Sequence, residues 1–392
     1  MLDQLLEPIV LEDILDAKKL QDKQWGREIH LYTNELPKLK DYQLAIVGVD
    51  VGDGTGVNAV RKSLYQLYNW HSHLKVVDLG NIKTGATTND TYFALSEVVS
   101  DLLDNRVIPI ILGGTHDHTY GQFLGYKSQE TVINMVVIDQ TIDLQPVEED
   151  VIKPDSFLYK ILSHQSNYLR NFAQVGYQHY LVNPRMVDTL EYMNFECFRL
   201  ASFKDDIKEV EPIVRDAHLV SFDLAAVCQS DAPGVLHRTP NGFLGQEACR
   251  ISRYTGLSDR VSSIGFYGLE PANDRDDKTT NLVAQMIWHF VEGVYNRKNE
   301  FPEFDAKHCY EYIVDFQEMD YDLIFLRSKK SERWWMKIAL PNQEGIIEYH
   351  IIPCSYSDYK NACNKEIPDR WMRAFEQLSN SPNHKTPSRN TT

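Results

Sequence analysis

Histidine and acidic residues follow three apolar runs of the chain, each of which has the length of a β-strand. His116 comes after the run at 107–112, Asp139 and Asp143 come at the end of the run at 133–139, and Asp223 ends the run at 217–223. Ligands of open parallel sheets bind at the carboxyl ends of the strands, because side chains converge there. We therefore expect these four residues to share a polar crevice. For any one of them alone, the alternative is a solvated or capping residue.

Three other histidines are candidate ligands by their spacing only. His118 lies two residues after His116 and could add a ligand, or it could point to the opposite side or into the following helix. His71 and His73 have the spacing of a metal-binding pair, but they lie at the end of a predicted helix, far from the other motifs. We interpret His71 and His73 as surface residues.

The elements that must position the crevice are short apolar strands without polar alternation. Between them lie segments of helix length, such as 93–103 and 282–294. This alternation is typical of a parallel sheet that is covered on both faces. We predict a three-layer α/β fold with a doubly wound parallel sheet. The predicted strands are 43–49, 75–80, 107–114, 133–139, 172–176, 217–223 and 262–267.

The pattern of apolar residues and the composition change along the chain, and these changes predict four parts. Residues 1–40 carry a spaced apolar pattern that predicts an amphipathic helix capping the main α/β domain at 41–299. A small antiparallel β module is predicted at 300–378, with strands at 321–326, 333–340 and 346–352. Residues 379–392 are rich in Ser, Asn, Pro and Thr, which predicts a disordered tail.

Composition excludes several classes of protein. The formal net charge of −16 repels polyphosphates, so we do not expect a general nucleic-acid binder. The 6 cysteines form no C-x-x-C pair, so neither a zinc ribbon nor a disulfide framework is indicated. The first residues lack the pattern of a signal peptide, and no apolar run is long enough to cross a bilayer. We expect a cytoplasmic protein.

Three segments resemble the signature motifs of the arginase, agmatinase and formimidoylglutamase (ureohydrolase) family. Residues 113–116, 139–143 and 221–225 are similar, in this order, to Gly-Gly-Asp-His, Asp-Ala-His-x-Asp and Ser-x-Asp-x-Asp. Weaker similarity at 56–61, 78–80 and 271–279 extends the resemblance over about residues 40 to 300. The resemblance implies the arginase-like fold for the main domain and leaves the C-terminal module unexplained.

In that family two manganese ions share a hydroxide that attacks a guanidinium or amidine carbon. The resemblance implies that one ion is held by His116, Asp139, Asp143 and Asp223, all of which are present. The second ion needs a histidine where this chain has Thr141 and an aspartate where it has Ala225. Threonine is a poor ligand for a divalent ion and alanine is none, so we expect at most one manganese ion.

Two further positions depart from the family pattern. Thr115 replaces the aspartate that precedes the motif histidine, and Gly268 stands where the family has the acid that binds the substrate guanidinium. Glu270, two residues further on, is the alternative substrate-binding residue.

Two functional hypotheses follow from this half-complete site. In the first, the chain has little or no ureohydrolase activity and serves as a scaffold or interaction protein. In the second, it is a divergent metal-dependent hydrolase of carbon–nitrogen bonds in a small amidine or guanidine, nearest in type to formimidoylglutamase. The family resemblance suggests a trimer or hexamer. The basic and aromatic stretch at 327–335 could contact a protein partner, or it could be a charged hairpin whose tryptophans pack on the domain.

Overall fold

A computed structural model of the chain describes residues 2–50, 55–129, 132–147, 151–164, 168–300, 306–316, 322–342 and 344–379. Ser379 ends the last helix, and the rest of the predicted disordered tail lies outside the described residues. None of the helices in these ranges is both long enough and apolar enough to span a membrane.

The strands are β1 Leu6–Glu7, β2 His30–Leu31, β3 Leu44–Val49, β4 Val76–Ile82, β5 Ile108–Leu112, β6 Ile133–Ile138, β7 Leu169–Tyr177, β8 Glu196–Arg199, β9 Leu219–Asp223, β10 Ser263–Tyr267, β11 Cys309–Val314, β12 Leu323–Ser328, β13 Trp334–Pro341 and β14 Ile347–Cys354. The helices are α1 Leu2–Leu5, α2 Leu11–Ile14, α3 Trp25–Glu28, α4 Thr55–Tyr65, α5 Thr88–Asp104, α6 His118–Leu124, α7 Phe157–Leu162, α8 Pro184–Tyr192, α9 Glu211–Arg215, α10 Gly245–Leu257, α11 Lys278–Tyr295, α12 Tyr356–Cys363 and α13 Asp369–Ser379.

The main sheet has 10 strands among the described residues, in the order β1-β4-β3-β5-β10-β9-β6-β7-β8, with β2 also paired to β4. Every pair in this sheet is parallel except β1 with β4. The central strands are buried on both faces, which explains why they read as continuous apolar runs. All seven strands that the sequence predicts for this sheet are present.

Helices cover both faces of the main sheet. Ile110 packs in the same apolar core as residues of α4, α10 and α11, whereas its neighbour Ile111 packs with α5 on the opposite face. Further along that opposite face, α6, α7 and α8 cover Met135 and Val137 of β6. Successive residues of a strand point to opposite faces, so one apolar strand serves two cores. The three-layer, doubly wound α/β prediction is confirmed.

The N-terminal segment differs from its prediction. Residues 2–40 form three four-residue helices and two short strands, and β1 and β2 join the edge of the main sheet through β4. The expectation of one amphipathic helix is therefore wrong. The apolar residues Leu6, Ile9 and Ile14 are buried, but they reach the core from short, separate elements. The four-part division of the chain itself stays a prediction.

The C-terminal module contains a separate four-stranded antiparallel sheet in the order β11-β12-β13-β14. One face of this sheet packs on α12 and α13 around the buried residues Met336, Ile338 and Trp371. The predicted antiparallel module is confirmed, while β11 and both helices are additions that the sequence pattern did not predict. The helix α12 begins with a reciprocal cap, in which Ser355 accepts from the backbone of Asp358 and Asp358 accepts from that of Ser355.

The module packs against the end of the main sheet where β6, β7 and β9 begin. Arg215, just before β9, donates to the carbonyl oxygens of Trp334 (2.8 Å) and Cys354 (3.0 Å). Its guanidinium also lies 4.4 Å from the ring centre of Trp335. Because the strands are parallel, the module and the crevice at the carboxyl ends lie at opposite edges of the sheet.

Candidate metal site

Two glycines turn the chain sharply after β5 and lead it to His116. Gly113 has φ +83° and Gly114 has φ +75°, in the left-handed region that glycine adopts without a steric penalty. A Cβ on Gly113 would lie 2.7 Å from the carbonyl oxygen of Val49 on the neighbouring β3. The turn places the His116 side chain in the interior, where the residue is 2% exposed.

The Oδ1 atom of each of the three carboxylates lies within hydrogen-bond distance of a neighbouring donor. Asp139 Oδ1 accepts from the backbone N–H of Gln140 at 2.6 Å, and Asp223 Oδ1 accepts from that of Ala225 at 2.8 Å. Asp143 Oδ1 lies 3.3 Å from the Thr141 hydroxyl. These contacts orient each carboxylate and turn the second oxygen toward the crevice.

The second oxygens converge on one nitrogen of His116. Nδ1 lies 2.8 Å from Asp143 Oδ2, 3.3 Å from Asp223 Oδ2 and 3.8 Å from Asp139 Oδ2. Nδ1 has no hydrogen-bond partner among the described residues. The other ring nitrogen, Nε2, lies 3.0 Å from Ser221 Oγ. When Nε2 donates to Ser221, Nδ1 presents its lone pair to the three carboxylates.

The electrostatics of the cluster favour a positive charge, a proton or a cation, among its carboxylates. Burial lowers the pKa of His116, but Asp223, Asp143 and Asp139 outweigh burial and raise the pKa to about 9. Burial raises the pKa of Asp139 well above its usual range, and the neighbouring carboxylates of Asp143 and Asp223 add to this effect. Burial also raises the pKa of Asp223. Buried carboxylates this close to one another need a proton or a cation between them.

The donor set fits a hard divalent cation. One ligand atom from each of His116, Asp139 and Asp223 lies within 4.8 Å of the other two, and Asp143 Oδ2 lies beside this group. Carboxylate oxygens with one imidazole suit manganese or magnesium better than softer metals. The unpartnered, buried Nδ1 is the observation that favours a cation over a purely hydrogen-bonded cluster.

The two replaced positions border the same cluster and offer no second set of ligands. The Thr141 hydroxyl donates to Asp139 Oδ2 at 2.8 Å and lies 3.3 Å from Asp143 Oδ1, so it sits between the two carboxylates. Ala225 is buried and contributes only its backbone N–H to Asp223. The cluster can hold one ion next to His116. The neutral residues Thr141 and Ala225 occupy the positions where a second ion would need ligands.

Gly268 lies against Asp223 and Glu270 lies in a neighbouring cleft. Gly268 has φ +81°, and a Cβ there would lie 2.6 Å from Asp223 Oδ1. Any side chain at this position would collide with the candidate ligand. Glu270 is partly buried and lines a cleft of about 540 Å³ together with Gly113 and Gly114. Its backbone N–H donates to the carbonyl of Gly234, which fixes the loop.

The other histidines are not part of the cluster. His118 is buried at the start of α6, where its Nδ1 lies 3.0 Å from the carbonyl oxygen of Thr115 and its ring packs against Tyr92. It follows the expected alternative of pointing into the helix. His73 is exposed, as predicted, whereas His71 is buried and stacks on Tyr295 with ring centres 4.7 Å apart. The surface prediction for His71 is therefore wrong.

Several residues around the cluster carry roles that sequence reasoning missed. Ser221 orients His116, and its place two residues before Asp223 on the same strand face was a usable signal. Gln174 of β7 donates to the carbonyl of Thr141 at 2.7 Å, and Gln140 donates to the carbonyl of His237 at 2.8 Å. These contacts cross between distant segments, so local sequence gives no sign of them.

Comparison with protein families gives a match over most of the main domain. The family model of the arginase family matches residues 46–292. Formimidoylglutamase from Lysinibacillus sphaericus is 23% identical over 259 residues, which cover 62% of this chain and 79% of that protein. Formimidoylglutamase from Streptococcus gordonii is 22% identical over 312 residues, which cover 72% of this chain and 93% of that protein.

Solved structures show the same fold. A Trypanosoma cruzi formiminoglutamase structure with Mn²⁺ superposes with a TM-score of 0.61 at 20% identity, covering 67% of this chain and 96% of that one. The Bacillus subtilis formimidoylglutamase gives a TM-score of 0.59 at 16% identity, covering 74% of this chain and 98% of that one. The fold of the main domain is arginase-like.

Proposed function

Because this chain belongs to the arginase family, we propose that it is a metal-dependent hydrolase of a carbon–nitrogen bond in a small amidine, using one manganese ion. The formimidoylglutamases are the relatives that suggest this substrate class. The observation that carries the proposal is the convergence of three carboxylate oxygens on the unpartnered Nδ1 of buried His116. His116, Asp139, Asp143 and Asp223 hold the ion.

A divalent cation bound here supplies Lewis acidity and lowers the pKa of a coordinated water. The chain's own contribution is to orient the ligands. Ser221 holds the His116 ring, while the backbone N–H groups of Gln140 and Ala225 hold Asp139 and Asp223. With these carboxylates fixed, the site does not need to reorganise when it binds the ion. Thr141 holds two of the carboxylates apart by donating to Asp139 and lying within reach of Asp143.

The substrate end of the site is defined by Gly268 and Glu270. The absence of a side chain at Gly268 lets Asp223 pack directly against the backbone of this loop. Glu270 supplies a carboxylate at the adjoining cleft, on the strand-end loop that follows β10. We propose that Glu270 contacts the cationic amidine of the substrate. A single ion gives less acidification than two, so we expect turnover well below that of a two-manganese enzyme.

A second candidate function is a non-catalytic scaffold or interaction role. The observation that favours it is that Thr141, Ala225 and Gly268 replace residues on the second-ion and substrate side only. Under this hypothesis the C-terminal module provides the surface for a protein partner, and the cluster at His116 stabilises the fold without catalysing a reaction. A trimer or hexamer and a cytoplasmic location are further predictions from the family resemblance and the sequence.

The two candidates are separated by assaying purified chain, loaded with manganese, on formimidoylglutamate, agmatine and arginine. We expect slow release of formamide from formimidoylglutamate, lost in His116→Ala and in Asp143→Asn and retained in His73→Ala, which changes an exposed histidine. Activity that survives His116→Ala would reject the proposed site. If wild type and His116→Ala are equally inactive on all three substrates, the scaffold hypothesis replaces the hydrolase hypothesis.

A further inference from the structure

A cleft lies between the main sheet and the last helix, at the edge of the sheet opposite to His116. Its volume is about 210 Å³. Drug-sized ligands occupy pockets of roughly 300–1,000 Å³, so this cavity suits a smaller metabolite. Both parts of the chain line it: the starts of β6, β7 and β8 and the segment before β9 on one side, and β14 and α13 on the other. The charged residues in its wall are Arg170, Glu196, Asp216, Arg370 and Arg373, and the amide residues are Asn134, Asn171 and Gln377.

Two of these charged side chains, Asp216 and Arg370, already form ion pairs within the protein. Asp216 pairs with Arg260 at 2.7 Å and also accepts from the Asn134 amide at 2.7 Å. Arg370 pairs with Asp358 at 3.3 Å. These pairs neutralise one acid and one base of the lining. They leave the remaining charges of the wall to face the cavity.

The remaining charged groups are Arg170, Arg373 and Glu196. Within the described residues none of them makes a hydrogen bond or an ion pair. Arg373 lies 5.9 Å from the ring centre of Phe198, and the charge of Arg170 acts on Asp216. Burial raises the pKa of Glu196, and Arg370 and Arg373 act in the opposite direction. Charged groups that line a cavity and make no direct hydrogen bond gain from a ligand that supplies a charge-assisted one.

The pattern of these charges specifies the ligand. Two guanidiniums are suited to two carboxylates or to one bidentate carboxylate, and one carboxylate is suited to an ammonium group. A polyphosphate would be repelled by Glu196 and Asp216, and an apolar molecule would leave all three charges unpaired. We propose that this cavity binds a small zwitterionic amino acid that carries a second carboxylate, such as aspartate or glutamate. The carboxylates contact Arg170 and Arg373, and the ammonium contacts Glu196.

Such a ligand bridges the two parts of the chain. Arg373 and Gln377 lie on α13 of the C-terminal module, whereas Arg170 and Glu196 lie on strands of the main sheet. Binding therefore adds contacts across the junction, which already includes a hydrogen bond from Gln377 to Asn171 at 3.1 Å. The inference does not depend on hydrolysis at the His116 site.

The test is calorimetric titration of metal-free, full-length chain with L-aspartate, L-asparagine and succinate. Asparagine lacks the second carboxylate and succinate lacks the ammonium, so we expect aspartate to bind most tightly. Arg373→Ala should weaken aspartate binding about tenfold or more, because a charge-assisted bond is lost. Arg185→Ala, which removes an exposed arginine of α8, should leave it unchanged. Glu196→Gln should weaken aspartate but not succinate.

Binding must also persist in His116→Ala, which separates this cavity from the crevice at the other edge of the sheet. Loss of binding in that variant would assign the ligand to the crevice and overturn the proposal. Equal affinities in Arg373→Ala and Arg185→Ala, or no heat from any of the three ligands at millimolar concentration, would also overturn it. Succinate binding as tightly as aspartate would reject the role of Glu196 and the amino-acid assignment.

Discussion

At the scale of single residues, the sequence identifies the members of the His116 cluster but not the hydrogen bonds that orient them. His116, Asp139, Asp143 and Asp223 each follow an apolar strand, which is a signal that sequence carries. That Thr141 sits between Asp139 and Asp143, and that Ser221 orients His116, depends on how distant segments pack. Sequence therefore predicts which groups meet, while the structure adds which atom of each group faces the crevice.

Gly268 provides a test of how tightly the cluster is packed. Gly268→Ala places a Cβ 2.6 Å from Asp223 Oδ1 at a backbone φ of +81°. We expect the variant to lose about 1–3 kcal/mol of unfolding free energy and to bind manganese more weakly, because Asp223 must move. Chemical denaturation and manganese titration measure the two effects.

Gly345→Ala is a matched control for this variant. Gly345 also has a positive φ of +78°, but a Cβ there has no neighbour within 4 Å. The control should share the backbone strain and leave manganese binding unchanged. Equal manganese affinities in the two alanine variants would contradict the assignment of Asp223 as a ligand positioned by Gly268.

At the scale of elements, the strands of the main sheet are predictable because each is buried on both faces and bounded by polar residues. The N-terminal segment is not, because helices of four residues and strands of two residues are too short to show a period. In the C-terminal module, β11 Cys309–Val314 has a mixed burial pattern that hides it among loops. The helix α12 was detectable in principle, since Ser355 and Asp358 have capping-box spacing.

His218 links the starts of two neighbouring strands and should make stability depend on pH. Its Nδ1 accepts from the backbone N–H of Asn134 at 3.0 Å, which joins the starts of β9 and β6. Burial lowers the pKa of His218 to about 4, and the positive charges of Arg260 and Arg170 add to this effect. The folded chain therefore resists protonation of a ring that titrates near 6.5 in the unfolded chain.

The contribution of His218 to stability is fully present above pH 6.5 and is lost as the pH falls toward 4. We expect this loss to be on the order of 2–3 kcal/mol and to be much smaller in His218→Asn. Denaturation at a series of pH values measures it. His73→Asn, at an exposed position, should follow the wild type. Parallel curves for wild type and His218→Asn would refute the linkage.

At the scale of the whole molecule, the C-terminal module is attached to the edge of the sheet that lies opposite the candidate metal site. The basic and aromatic stretch at 327–335 is a charged hairpin between β12 and β13, and Trp335 is buried against Arg215. This is the expected alternative to a binding surface for that tryptophan. A partner for the rest of the module stays a prediction, since sequence patterns do not reveal which faces remain open.

Arg215 is a buried polar connection between the module and the main domain. Arg215→Met removes the charged donor to the carbonyls of Trp334 and Cys354. We expect a loss of about 2–4 kcal/mol and faster amide hydrogen exchange in β13 and β14. Arg185→Met serves as the surface control. Unchanged exchange in β13 would contradict this view of how the module is held.

The most direct test of a site with one metal position is the number of manganese ions bound per chain. Elemental analysis after loading and desalting measures this number. We expect one ion in the wild type, none in His116→Ala, and two after Thr141→His is combined with Ala225→Asp. Two ions in the wild type, or none, would contradict the account of a single site built from His116, Asp139, Asp143 and Asp223.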